Sequence, residues 1–461
     1  MARVEPFAAR VDLAISGEGE MARASRMAFA AFVIRVVSAG ILYFSQVLFA
    51  RWLGTHEYGV FVVVWTWVTI LAVVAGLGMN MAVLRLLPEY SAQGHMDLVR
   101  GLFIGGRVSA AVTATGFALV GCAGIHFYGD IASSPYVMPA YLAAICLPIG
   151  AVTDVQDGYA RAYSWTDLAF APTYLWRPLI LLSLLGLCLI FGLEMTAVNA
   201  MYASILSLLV TCLGQMALMR QRIREEIPAG PRRFDYPAWL KLALPIVFVE
   251  GTFSLITGTD ILVLSQFTPP QEIAVYYAAL KTLALVHFVY FAIKAAFSNR
   301  FSYTFHSGDR AGLEATVRMA TRYTFWPSLA MAAVLALASP FLLRLFGPEF
   351  SAGFPILLIL MAGVVTRAAI GPVDALLVMA GQQKVCAIIY SAVLLINLGL
   401  NFALVPGYGL YGAATATSLA ILVEVLMLIV ATRRTLDINV FVFSRPVVRD
   451  IAPTATPAAA E

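Results

Sequence analysis

The sequence predicts an all-α, polytopic membrane protein with about twelve transmembrane helices, on three observations. Hydrophobic residues make up 61% of the 461 and charged residues only 12%, where a soluble domain carries about 25% charged. Apolar runs able to cross roughly 30 Å of hydrocarbon as helices recur along the whole chain. The basic residues fall in every second connecting segment, as positive-inside topology requires. A transmembrane barrel is excluded, because its short alternating strands are absent.

In chain order, residues 1–26 hold four arginines and no apolar core of their own, so they form a cytoplasmic leader and not a cleaved signal peptide. Six spans follow at 27–50, 60–86, 102–127, 136–155, 168–191 and 195–219, which make a first bundle, 27–219. The most polar stretch, RQRIREEIPAGPRRFDYPAW, begins at Arg220, and 220–237 is a cytoplasmic linker. Spans at 238–264, 273–297, 318–338, 354–379, 385–405 and 410–431 make a second bundle, 238–431, and 432–461 is a cytoplasmic tail. With both termini inside, twenty Lys or Arg lie in segments assigned to the cytoplasm and two, Arg51 and Arg344, outside. Sliding the second half back by 215 residues sets Glu272 on Glu57, Tyr276 on Phe61 and Gly407 on Gly192. Six spans per half give both halves one orientation, related by an axis along the membrane normal.

Several chemistries can be set aside. GYGLYG at 407–412 has dinucleotide-fingerprint spacing but joins two spans, without the strand that fingerprint needs. There is no Walker A motif, and the five histidines show neither ligand spacing nor an acidic partner. All five cysteines sit in apolar segments, as packing residues. A net charge of +4 without a basic stripe gives no nucleic-acid surface. Every outside loop is too short to hold the catalytic residues of a glycosyltransferase or polymerase. The chain is therefore expected not to be an enzyme, with no catalytic residue, metal or cofactor.

Charges inside the spans carry what remains. Arg35, Arg107, Lys294 and Glu424 lie close enough to the cytoplasmic boundary to snorkel, and Asp260 lies near the outer one. Arg177, Glu250, Lys281 and Arg367 sit near the midplane, where an unpaired ion facing lipid costs about 3 kcal/mol or more, so they face an interior. Structural ion pairs and a wet, cation-rich cavity for an anion both remain open, and three bases among four favour the cavity. Arg367 and Asp374 share one face if their segment is helical throughout, which makes Asp374 the expected partner of Arg367. Pro372 between them frees a carbonyl that needs a donor, at a point suited to bending. Arg35 and Glu250 are 215 apart, so they occupy equivalent places on spans one and seven and are an expected gating pair.

The run Phe44 to Gly94 resembles the N-terminal signature of the polysaccharide transporter family, the Wzx-like O-antigen and exopolysaccharide flippases of the multidrug/oligosaccharidyl-lipid/polysaccharide (MOP) exporter superfamily. Ala50-Arg51, Leu53-Gly54, Glu57-Tyr58-Gly59, Gly76-Leu77-Gly78, Arg85 and Leu87-Pro88-Glu89-Tyr90 carry the resemblance. It implies a V of two six-helix bundles in the bacterial inner membrane, moving an undecaprenyl-diphosphate-linked oligosaccharide between leaflets. Arg177, Lys281 and Arg367 would then hold the diphosphate, with Arg35, Glu250 and Asp374 in cavity or gating roles. The partners implied are the lipid-linked oligosaccharide, membrane lipids, a polysaccharide polymerase and chain-length proteins. A multidrug antiporter of the same superfamily would favour acidic cavity residues, and a non-transporting assembly scaffold would be indifferent to cavity substitutions.

Overall fold

The computed structural model describes residues 20–127 and 134–444, with side chains from Gly40 onward except at position 288. Every regular element among them is helical. Ten stretches are long and apolar enough to cross a membrane. Two of these, Gly40–Ala92 and Gln383–Leu436, have 53 and 54 residues. That is about 80 Å of helix, more than twice the hydrocarbon thickness, so each must cross twice. A glycine outside helical geometry divides each one: Gly54 (φ 75°, ψ 171°) and Gly409 (φ 54°, ψ −128°). Both sit at positive φ, which costs a residue without a Cβ nothing. Counted with these breaks, the described residues hold twelve stretches able to span, the number expected from the sequence.

Helices overrun the predicted limits where the chain leaves the apolar core. Span four runs Val137–Ala162, span eight Pro270–His306, and span nine Arg310–Phe346. Span five carries a π-helical turn, Pro172–Trp176, between Thr166–Ala171 and Arg177–Ile190. Proline cannot donate into the ladder, and the widened turn absorbs the misfit.

The weak sequence repeat is expressed in equivalent contacts. Glu57 Oε2 accepts a 2.6 Å hydrogen bond from the Ala197 N–H, the first residue of span six, Ala197–Glu226. Glu272 Oε2 lies 3.7 Å from where a Cβ on Gly409 would stand, at the start of span twelve. In each half a carboxylate beside the second span thus faces the N-terminal end of the last span, where unpaired N–H groups favour negative charge.

The linker is pinned down. Arg100 donates to the Pro228 and Pro231 carbonyls at 2.8 and 3.0 Å, and the Arg233 N–H donates to the Asp97 carbonyl at 3.0 Å. Asp235 caps span seven, Tyr236–Phe267, and fully buried Trp239 donates to the Tyr90 hydroxyl at 3.2 Å.

Span ten corrects one expectation. Its helix stops at Ala368 and resumes as Val373–Met379, with Gly371 at φ 66° in the break. Arg367 and Asp374 are therefore on two helical pieces, not on one face of one helix. The break orphans two carbonyls, and both find donors. Val442 N–H donates to Ala369 O at 3.0 Å, and the Thr321 hydroxyl donates to Ile370 O at 3.3 Å. The start of the tail is thus structural: Ile438, Val440 and Val442 are buried, and Arg310 holds Asp437 at 2.8 Å.

The chain packs as two compact units. The first contains the described residues through Leu283 with Ala338–Leu360 and Leu394–Thr417; the second contains Ala284–Leu337, Met361–Val393 and the residues from Ser418 on. Leu376, Leu377, Ile370, Val317, Phe301 and Leu428 belong to the core of the second unit.

Candidate functional site

In the second unit four spans place six polar side chains together. Tyr290 and Lys294, one turn apart on span eight, both reach Asp374: the Tyr290 hydroxyl donates at 2.6 Å and Lys294 Nζ at 2.5 Å. Arg367, just before the break in span ten, lies 3.1 Å from Glu424 Oε1 of span twelve. That separation is ionic in range, although Oε1 has no aligned hydrogen bond. The Arg367 guanidinium also lies over the Tyr290 ring, 5.1 Å from its centroid, and donates to the Tyr390 hydroxyl of span eleven at 3.3 Å. Asp374 and Glu424 are 6% and 4% exposed, so charge pairing, not water, stabilises them.

Two expectations change here. Asp374 takes its hydrogen bonds from Lys294 and Tyr290, while Arg367, across the break at Gly371 and Pro372, stays within electrostatic range of it. Glu424 is a buried partner of Arg367, and Lys294, about a third exposed, pairs with Asp374. Two cations and two carboxylates make this cluster charge-balanced.

The first unit holds a second polar interior. Arg177, immediately after the π turn, stacks its guanidinium on Trp65 at 4.5 Å, and its carbonyl accepts from the Ser207 hydroxyl at 3.1 Å. Cys146, Asp154 and Asp157 lie within electrostatic range of it. Asp157 accepts from Gln215 Nε2 at 2.7 Å and from the Thr173 hydroxyl at 2.8 Å. Gln215 and Gln156 are fully buried, and each keeps an amide oxygen without a partner among the described residues. Asp154 and Asp157 were not among the sequence candidates: Asp154 lay in the last turn of the predicted span four, where it read as a boundary charge, and Asp157 lay beyond its end at Val155. The continuation of apolar spacing through Val155, Tyr159 and Ala160 could have shown that the helix goes on.

The remaining candidates fall as follows. Lys281 rests over the Tyr277 ring at 4.6 Å, one turn away, with no hydrogen bond or ion pair among the described residues. Glu250 has Arg161 and Asp154 as charged neighbours. The side chain of Arg35 lies outside the described residues, and with it the Arg35–Glu250 pair. Arg107 places its guanidinium 5.4 Å from the Tyr159 ring and Nη2 3.0 Å from Met219 Sδ. Asp260 is 4% exposed. Its carboxylate accepts from Tyr276 (2.7 Å), Thr417 (2.6 Å) and Asn401 (3.0 Å), tying spans seven, eight, eleven and twelve together. Among the described residues no group of three or more His, Cys, Asp or Glu is placed to hold a metal, and the five cysteines are free thiols.

Residues 26–298 match the model of a family described as polysaccharide biosynthesis protein, and residues 245–403 match the MatE family model. No curated protein matches the sequence. Among solved structures, an inward-facing multidrug resistance MATE family transporter of the MOP superfamily superposes with TM-score 0.71 at 17% identity, covering 87% of this chain and 94% of that one. The lipid II flippase MurJ, in an inward closed conformation, gives TM-score 0.66 at 17% identity and 87% of each chain. A MOP superfamily transporter from Pyrococcus furiosus, described by the reverse polarity of its binding pocket, gives 0.59 at 16% identity over 86% of this chain and 90% of that one. At these identities the likeness is one of fold. With a family match across more than half its length, the chain belongs to the polysaccharide biosynthesis protein family, and its fold is like that of the MATE and MurJ structures.

Proposed function

We propose that this transporter is a flippase that carries an undecaprenyl-diphosphate-linked oligosaccharide across the bacterial inner membrane by alternating access of the bundles 27–219 and 238–431. Both termini and the linker are cytoplasmic in this reading, and a polymerase and chain-length proteins take up the product. The observation that carries it is the state of the mid-depth bases. Arg177 and Lys281 rest on the faces of Trp65 and Tyr277 and make no ion pair among the described residues. A cation on a π-face is held in place with its donors free, and a diphosphate can take those donors. Arg367 contributes a planar two-pronged donor once the phosphate replaces Glu424 as its partner. Arg35 and Glu250 act as a gate between the bundles, and exchanging their charges restores activity that either single reversal removes. Asp374 keeps Lys294 neutralised while Arg367 changes partner. One fold neighbour is a lipid II flippase, which supports a lipid-linked substrate.

The test is deletion of the gene. Undecaprenyl-linked oligosaccharide should accumulate on the cytoplasmic leaflet, and an unchanged leaflet distribution would reject the proposal. A second reading, a multidrug antiporter, draws on the MatE match and on the acids Asp154 and Asp157. It predicts instead that the deletion strain becomes sensitive to organic cations while its lipid-linked oligosaccharide is distributed normally.

A further inference from the structure

Span nine presents a face whose chemistry changes in order along the helix. Positions 318, 322, 326, 329, 333 and 337 recur every three or four residues and so fall on one side of Arg310–Phe346. At the start of this face Arg318 and Arg322 stand beside Ala315, Met319 and Tyr323 on an open surface of the same helix. Glu314, one turn before Arg318, is engaged by Arg310 at 3.6 Å, and Arg310 also holds Asp437. Neither Arg318 nor Arg322 has a hydrogen bond or ion pair among the described residues. Two unneutralised guanidiniums therefore stand one turn apart.

Next along the helix come Tyr323 and Trp326, each 55% exposed, and then Leu329 and Leu337, the latter 85% exposed. Arg322 to Leu337 spans about 22 Å of helix, which is one headgroup layer plus one hydrocarbon leaflet. The order of cation, amphipathic ring and aliphatic side chain matches that of phosphate, glycerol ester and acyl chain in a phospholipid.

We infer that this face binds one anionic glycerophospholipid. Its phosphate lies between Arg318 and Arg322, its ester region against Tyr323 and Trp326, and an acyl chain along Leu329 and Leu337. Forked donors match a phosphate diester, and arginine followed by aromatic rings along the helix is the order in which a headgroup and the interface beneath it would be met. Anionic lipid is favoured over zwitterionic lipid because the latter brings its own cation to two arginines. The inference does not depend on what the protein transports.

Native mass spectrometry of the detergent-solubilised full chain tests it, with phosphatidylglycerol, phosphatidylcholine or undecaprenyl diphosphate added separately. The unsubstituted protein should retain one phosphatidylglycerol and no phosphatidylcholine. In the Arg318→Gln, Arg322→Gln variant phosphatidylglycerol affinity should fall at least about tenfold, as loss of charge-assisted hydrogen bonds implies. If that variant does not fold, Arg318→Lys with Arg322→Lys replaces it; it keeps the charges without the fork and should also bind more weakly. Equal phosphatidylglycerol retention by a folded variant would overturn the assignment. So would loss of undecaprenyl diphosphate alone, which would make this face a substrate site.

Discussion

Breaking the Arg367–Glu424 pair should destabilise the second unit by more than a surface pair could. At 3.1 Å and an effective dielectric near 20, the attraction is about 5 kcal/mol. Desolvation of both ions takes back most of that, so the intact pair is close to neutral against an uncharged pair of similar size. Removing one partner is different, because the other ion stays behind with its desolvation uncompensated. Glu424→Gln and Arg367→Gln should therefore each cost about 3 kcal/mol, with Arg367 partly relieved by Tyr390 and Tyr290. The double variant, with neither ion of this pair left behind, should recover about 2 kcal/mol of the summed loss. Reversible unfolding in bicelles, measured for the four proteins, gives the cycle directly. If the two single losses add to within about 0.5 kcal/mol in the double variant, the ions do not interact and the pairing argument fails.

Three further outcomes follow from the geometry. Gly371→Ala places a Cβ 2.8 Å from Thr321 at φ 66°, and it should lower stability by about 1–3 kcal/mol in the same unfolding assay; no loss would mean that the break in span ten is not as described. Val442→Pro removes the N–H that satisfies Ala369 O and should cost about 1–3 kcal/mol, whereas Phe443→Pro, one residue on, should cost less. For topology, single cysteines at Ser134 and Gln271 in a cysteine-free background should react with an impermeant reagent in intact cells. One at Gly230 should not, and labelling there would reverse the proposed orientation.

The twelve spans were legible because apolar length is a property of composition, and the two glycines that split the longest stretches sit where the charge pattern had already put loops. The weak repeat was legible for the same reason, since Glu57 and Glu272 stand at equivalent loops, each near the start of the last span of its half. The interior pairings were not. Pro372 announced a bend, but whether Asp374 still faces Arg367 depends on the φ of Gly371, which no pattern states. Lys294 and Glu424 looked like snorkelling charges because depth along a helix says nothing about which neighbour stands beside it. Asp157 fell outside a span that had been ended too early, and Asp154 stood in its last turn, where a carboxylate reads as a boundary residue. The tail did leave a signal: Ile438, Val440 and Val442 alternate with Asp437, Asn439 and Phe441, the pattern of an extended segment buried on one side.

The central claim, that basic residues in the spans carry a diphosphate across, is tested most directly by the triple variant Arg177→Gln, Lys281→Gln, Arg367→Gln in a deletion strain. Surface polysaccharide is measured, with membrane abundance of the protein matched to the unsubstituted form. The account predicts loss of most surface polysaccharide, with Arg367→Lys alone retaining part of it. Full restoration by the triple variant at normal abundance would contradict the account and leave these charges a structural role only.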